Sequence, residues 1–98
     1  MVAETILSQL GHSIQRICIM IGGYGFVSST DGVSFRFKVR SKNGSNGLRI
    51  TLDPSDTYTV EFLSVRGSSR KIKGKFSDIY AEDLRPLFER ETGLYLSL

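Results

Sequence analysis

His12 and Cys18 are the only residues of their kinds in the chain, and a thiol beside an imidazole is the minimal equipment for nucleophilic catalysis. Cys18, however, stands inside the apolar run Ile17-Cys18-Ile19-Met20-Ile21, where a cysteine behaves as a small, inert hydrophobe. His12 follows a helical stretch, where an imidazole more commonly meets free carbonyls than a substrate. Asp53 and Asp56 have the spacing of paired carboxylates, but they flank Pro54-Ser55, a turn in which Asp commonly bonds its own backbone. Two carboxylates without further ligands make a poor cation site. A single cysteine also leaves no internal disulfide and no multi-cysteine zinc site. The residues therefore point to a protein that is not an enzyme and carries no metal and no cofactor.

Gly22-Gly23-Tyr24-Gly25-Phe26-Val27 matches the middle of the RNP1 pattern of RNA-recognition motifs, which runs basic, Gly, aromatic, Gly, aromatic, aliphatic. The basic first position is Gly22 and the final aromatic is Ser29. RNP1 lies on the third strand of its fold, and 22 residues cannot hold the strand, helix and strand that must precede it. No Gly-Lys-Ser/Thr follows, so the glycines are no phosphate loop. A bulge or tight bend between strands explains them better.

The charge pattern is the stronger signal. Residues 36–75 hold ten basic residues against three acidic ones, a local net charge of +7, in a chain of net charge +3. Residues 76–98 hold five acids against two bases, a net of −3, and residues 1–35 carry −1. Such asymmetry bears on partners rather than on fold. Arg36, Lys38, Arg40, Arg66, Arg70, Lys71, Lys73 and Lys75 form a candidate basic binding face, suited to lining phosphates. The competing reading is a solvated face that keeps a small sheet soluble and its edge unpaired.

These residues must be positioned by local structure. Ile6, Leu7, Leu10 and Ile14 recur at helical spacing, so residues 3–10 are read as a helix ended by Gly11. Residues 14–21 are dense in β-branched and apolar side chains and are read as a buried strand, with a helical extension left open. Residues 27–30 and 33–40 read as a hairpin around Asp31-Gly32, with Gly32 at positive φ in a type I′ turn. Phe35, Phe37 and Val39 then face the core, and Arg36, Lys38 and Arg40 face outward. Residues 41–47 are a polar loop. Leu48, Ile50 and Leu52 alternate with polar neighbours, as do Tyr58, Val60 and Phe62. Residues 70–76 read as a Lys-rich edge strand with Ile72 as its apolar anchor. Tyr80, Leu84, Leu87 and Phe88 mark an amphipathic helix over residues 80–92, with Asp78 as its cap and Gly93 at its end. Pro86 requires that helix to start near residue 83 or to bend. The apolar tail, residues 94–98, is expected to pack on the sheet.

The chain resembles a family of short proteins encoded by tailed bacteriophages and prophages. The resemblance is carried by Ile50-Thr51-Leu52, by Asp56 to Phe62, by Val65-Arg66-Gly67, and by Ile79-Tyr80-Ala81 with Leu84, Phe88, Thr92-Gly93-Leu94-Tyr95 and Leu98. Ile6 to Gly11, Phe26-Val27 and Ser34-Phe35-Arg36 also fit its pattern. Pro86 and the stretch from Ile19 to Tyr24 depart from it. The resemblance implies a phage protein in the host bacterial cytoplasm and transfers no catalytic residue.

With 98 residues, 40% hydrophobic and 23% charged, the chain is expected to be one α+β domain over residues 1–98. Its parts are an N-terminal helix, an antiparallel meander of about five strands, and a C-terminal helix packed on the sheet. The longest apolar run is far below the roughly 20 residues of a membrane helix, and the N-terminus lacks the features of a signal peptide. The expected function is non-catalytic binding of a host protein or protein–nucleic acid complex, inhibiting a defence or nucleic-acid-processing complex as anti-CRISPR proteins do. Direct nucleic-acid binding through the basic face and a minor virion or assembly role are the alternatives. A second copy of the chain is left open as a partner.

Overall fold

Residues 32–66 carry the alternation that builds the sheet, and the helices at either end supply its cover. The structure is a computed structural model that describes residues 2–11 and 14–94. Helix α1 spans Val2–Gly11 and α2 spans Ile14–Ile21. Five strands follow, β1 (Tyr24–Ser28), β2 (Gly32–Arg36), β3 (Gly47–Leu52), β4 (Tyr58–Arg66) and β5 (Ser69–Ile79). They form one antiparallel meander in the order β1-β2-β3-β4-β5. A short 3-10 turn, Ala81–Asp83, leads into α3, Leu84–Thr92. This is the α+β architecture expected from the sequence.

Register explains the inner face. Val33 pairs with Ile50 and Ile50 with Val60, while Phe35 pairs with Leu48 and Leu48 with Phe62. These six side chains are buried in one cluster with Ile6, Leu7 and Leu10 of α1, Ile17 and Ile21 of α2, and Leu84, Leu87 and Phe88 of α3. All eight core residues expected from periodicity, Phe35, Phe37, Leu48, Ile50, Val60, Phe62, Leu84 and Phe88, are buried. Two polar contacts tie α1 down. Tyr58 donates its hydroxyl to Gln9 Oε1 at 2.9 Å, and Arg85 Nε donates to the Leu10 carbonyl at 3.1 Å.

The segment 14–21 is a helix, not a strand. In a strand Ile17, Ile19 and Ile21 would share one face. Instead Ile17 and Ile21 are fully buried, Met20 packs against the core, and Ile19 is 81% exposed. The buried positions follow helical period. Cys18 is likewise exposed rather than inside an apolar core.

The turn between β1 and β2 also differs from expectation. Asp31-Gly32 is not a type I′ turn, because Gly32 does not have positive φ and already belongs to β2. The connection is the three residues 29–31, closed by the Ser29 N–H donating to the Gly32 carbonyl at 2.9 Å. Glycine is needed at this position for close approach. A Cβ there would collide with the Ile50 carbonyl oxygen of β3.

Strand β2 stops at Arg36, four residues before the expected end. Beyond Phe37 the backbone turns to the C-terminus of α2, whose last carbonyls lack partners within the helix. The Lys38 N–H donates to the Ile21 and Gly22 carbonyls, and the Val39 N–H to that of Ile21, each at 3.2 Å. Val39 is thereby turned out and is 43% exposed, so it does not fill the core.

At the other end, β5 is longer than expected, and Ile72 is 58% exposed rather than an inward anchor. Asp78 is not a helix cap. It has φ 57° and lies where the β4–β5 register shifts. Tyr80 is exposed as well. Helix α3 begins at Leu84, which puts Pro86 in its first turn, where no intrahelical acceptor exists for the missing N–H. Gly93 closes α3 in the left-handed conformation, φ 74°. Leu94 packs on the core; the rest of the expected apolar tail lies outside the described residues. No helix among the described residues is long and apolar enough to cross a membrane.

Two outcomes check this arrangement. Gly32→Ala is expected to cost roughly 1–3 kcal/mol, as overpacking does, read as a lower thermal midpoint; an unchanged midpoint would contradict the close β2–β3 approach. Burial holds the Tyr58 hydroxyl above the ordinary tyrosine pKa of 10.0, with nearby Asp56 adding to the shift. Because the folded state keeps this proton more tightly, its contribution is constant below about pH 10 and is lost as pH rises above it. Urea midpoints across that range should fall less steeply for Tyr58→Phe than for the wild type.

Candidate polyanion-binding site

The segment between β2 and β3 shapes the site. Its Ser-Lys-Asn-Gly-Ser-Asn sequence cannot bury an apolar face, so side-chain hydrogen bonds hold it. Ser41 Oγ donates to the Ser45 carbonyl at 2.6 Å, and Asn43 Oδ1 accepts from the Ser45 N–H at 3.1 Å. Ser41 and Ser45 are both buried. The Lys42 N–H donates to the Thr92 carbonyl at 2.8 Å, anchoring the loop to the end of α3.

Asn46 fixes the loop to β4. Its Oδ1 accepts from the Val65 N–H at 2.8 Å, its Nδ2 donates to the Val65 carbonyl at 2.9 Å, and its backbone N–H donates to the Leu63 carbonyl at 2.8 Å. The side-chain amide thus takes the place of a paired strand residue. The loop stands beside the β4–β5 hairpin and leaves two joined hollows.

The first hollow, about 410 Å³, is lined by Gly44, Ser64, Arg66, Ser69, Lys71 and Lys73. The second, about 320 Å³, shares Gly44, Ser64 and Arg66 with it and adds Lys38 and Arg40. No aspartate or glutamate lines either one. Among the described residues none of these five cations pairs with a carboxylate; the recorded pairs are Arg49–Glu61 at 3.8 Å and Arg90–Glu91 at 3.2 Å. Five unpaired positive charges bordering hydroxyl-lined concavities attract phosphate or carboxylate groups.

A third hollow, about 210 Å³, lies across the sheet face that the helices leave open, and Arg36 and Arg70 line it. Arg36 projects over Gly47, its partner on β3, where no side chain stands in the way. Its Nη2 reaches the Val65 carbonyl of β4 at 3.5 Å. The Arg36 guanidinium also lies 5.5 Å from the centre of the Tyr24 ring, and Lys38 Nζ lies at the same distance. Tyr24 owes its place to a bulge. Register shifts between Tyr24 and Val27, with Gly25 at φ 66°, a conformation that favours glycine.

Of the eight basic residues singled out in the sequence, seven therefore line these hollows, but not as one strand face. Arg36 and Arg70 lie on the open face of the sheet. Lys38 and Arg40 come from the loop after β2, and Arg66, Lys71 and Lys73 from the β4–β5 hairpin. Lys75 stands apart, opposite Glu61 in register, and lines none of these hollows; the ion pair of Glu61 is with Arg49. Sequence reasoning missed Tyr24 as a neighbour of Arg36 and Lys38, and Asn46 as the brace. The glycines around Tyr24 were the available signal for the first; nothing in sequence marks the second.

The remaining candidates are placed as follows. Asp53 accepts from Thr59 Oγ1 at 2.7 Å, and its N–H donates to the Thr57 carbonyl at 2.8 Å, the local bonding of a turn. No group of three His, Cys, Asp or Glu side chains that could hold a metal ion occurs among the described residues. His12 lies outside the described residues, so its distance from Cys18 is not defined. No family model, no curated protein and no solved structure matches the chain.

Asn46→Ala is expected to leave the Val65 peptide without two partners and to cost about 1–3 kcal/mol. The measurement is the urea midpoint, and a wild-type value would show that the loop stands without this brace.

Proposed function

We propose that the protein is a non-catalytic binding protein that holds a phosphodiester backbone in the basic hollows at this end of its sheet. The observation that supports it is the convergence of Lys38, Arg40, Arg66, Lys71 and Lys73 on two joined hollows that no acid lines. Fold stability does not account for the cluster, because unpaired exposed charges contribute little to it. Electrostatic neutralisation of phosphates accounts for it directly. In the phage setting that the sequence resemblance implies, the partner is nucleic acid within a host defence or processing complex in the bacterial cytoplasm. The protein acts there by occupying it.

Arg66→Gln with Lys71→Gln tests this reading. The pair should leave the unfolding free energy, read from the urea midpoint, within about 1 kcal/mol of wild type. It should weaken binding of a labelled oligonucleotide, and the slope of log K against log salt should shrink by about 1.4 to 1.8 for two lost phosphate contacts. Undiminished nucleic-acid binding by the variant, or salt-insensitive capture of an acidic polypeptide in place of nucleic acid, would refute it.

A further inference from the structure

The three hollows are not separate. The first and second share Arg66. The second contains Lys38, whose ammonium lies over the Tyr24 ring, and the same ring carries Arg36 of the third. Arg70 and Lys71 are successive residues of β5 and line hollows on opposite faces of the hairpin, as alternation requires. The cations therefore form a continuous path that rounds the end of the sheet, from Lys73 through Arg66, Arg40 and Lys38 to Arg36.

We infer that this path takes a single strand of nucleic acid, with one base stacked on Tyr24. The inference rests on the phosphate-binding reading above and adds the form of the ligand. Three observations carry it. First, the path turns from one sheet face to the other within a molecule of 31 × 30 × 22 Å. Duplex DNA stays stiff over about 50 nm and meets one face only, whereas a single strand bends with the path. Second, Tyr24 is the aromatic that joins the hollows, and it is 38% exposed at the edge of the sheet. Arg36 and Lys38 lie over this ring, so a base stacks on it as their charged groups turn from the ring to its phosphates. Third, Arg36 has unused hydrogen-bonding capacity. Its Nε is buried without a partner, and its Nη2 has only the 3.5 Å contact to Val65. Reorientation toward a phosphate would satisfy both nitrogens.

The test uses the full chain with labelled strands of about 12 nucleotides, one of DNA and one of RNA, and with the DNA duplex of the same sequence, at fixed salt. Single strands should bind at least tenfold tighter than the duplex, and the DNA and RNA arms show which sugar is preferred. Tyr24→Ala should weaken single-strand binding about tenfold, while Tyr24→Phe retains it and duplex binding stays the same. Ultraviolet cross-linking of the wild-type protein to a bromouracil strand, with peptide mapping, should recover the peptide containing Tyr24 and does not depend on the variants folding. Equal single-strand and duplex affinity, wild-type binding by a folded Tyr24→Ala, or cross-links confined to other peptides would overturn the single-strand inference while the phosphate reading stands. Binding of no nucleic acid by the wild type would overturn both.

Discussion

All six phenylalanines of the chain form one connected row through the core. Phe26 stacks on Phe35 at 5.0 Å, Phe35 lies 6.4 Å from Phe37, and Phe37 meets the edge of Phe88 at 5.8 Å. Phe88 then contacts Phe62 at 6.4 Å, and Phe62 meets Phe76 at 5.9 Å. The row starts on β1, ends on β5 and passes through α3, so it joins both sheet edges to the helical cover. Burial of each ring, about 1.5–3 kcal/mol, outweighs the roughly 0.5–1.5 kcal/mol of each aromatic pairing. The row therefore holds because the sheet and α3 keep it dry, and the geometry between rings fixes how they seat.

This constraint decides what stays open. The three helices gather on the face where the row lies, and the opposite face carries polar and charged side chains with little cover. Leu63 is buried there, outside the main cluster, in the row of Arg36 and Gly47. Phe37 is the last residue of its segment to enter the core. Immediately after it, the N–H groups of Lys38 and Val39 turn to the carbonyls that end α2. The chain must therefore leave the sheet at Phe37 and return at Gly47, and the loop between stands beside the β4–β5 hairpin. The basic hollows are the space between that loop and that hairpin.

Charge is concentrated where apolar packing is not needed. Lys71 and Lys73 lie on the exposed edge strand, whose free N–H and C=O groups would otherwise invite pairing with another chain. The same residues thus guard the edge and line the first hollow of the candidate site. Arg49, paired with Glu61 across the ladder, shows the other arrangement, a cation held by a carboxylate within the sheet.

Much of this was legible in the amino-acid order. Alternation of Phe35, Leu48, Ile50, Val60 and Phe62 with polar neighbours set the inner face, because a strand's side-chain period is fixed at two residues. Pro86 and Gly93 marked the bounds of α3 through backbone geometry alone. The excess of positive charge over residues 36–75 identified the residues of the candidate site. What the order left open needed contacts between distant segments. Whether residues 14–21 form helix or strand depended on which isoleucines found core partners, and Ile19 found none. The role of Gly32 depended on how near β3 comes, and the end of β2 on the unpaired carbonyls of α2. The arrangement of Arg36, Lys38, Arg66 and Lys71 about Tyr24 and the loop was likewise decided by tertiary structure. Local sequence sets the direction in which a side chain leaves its own strand, whereas its neighbours are set by how strands from the whole chain pair.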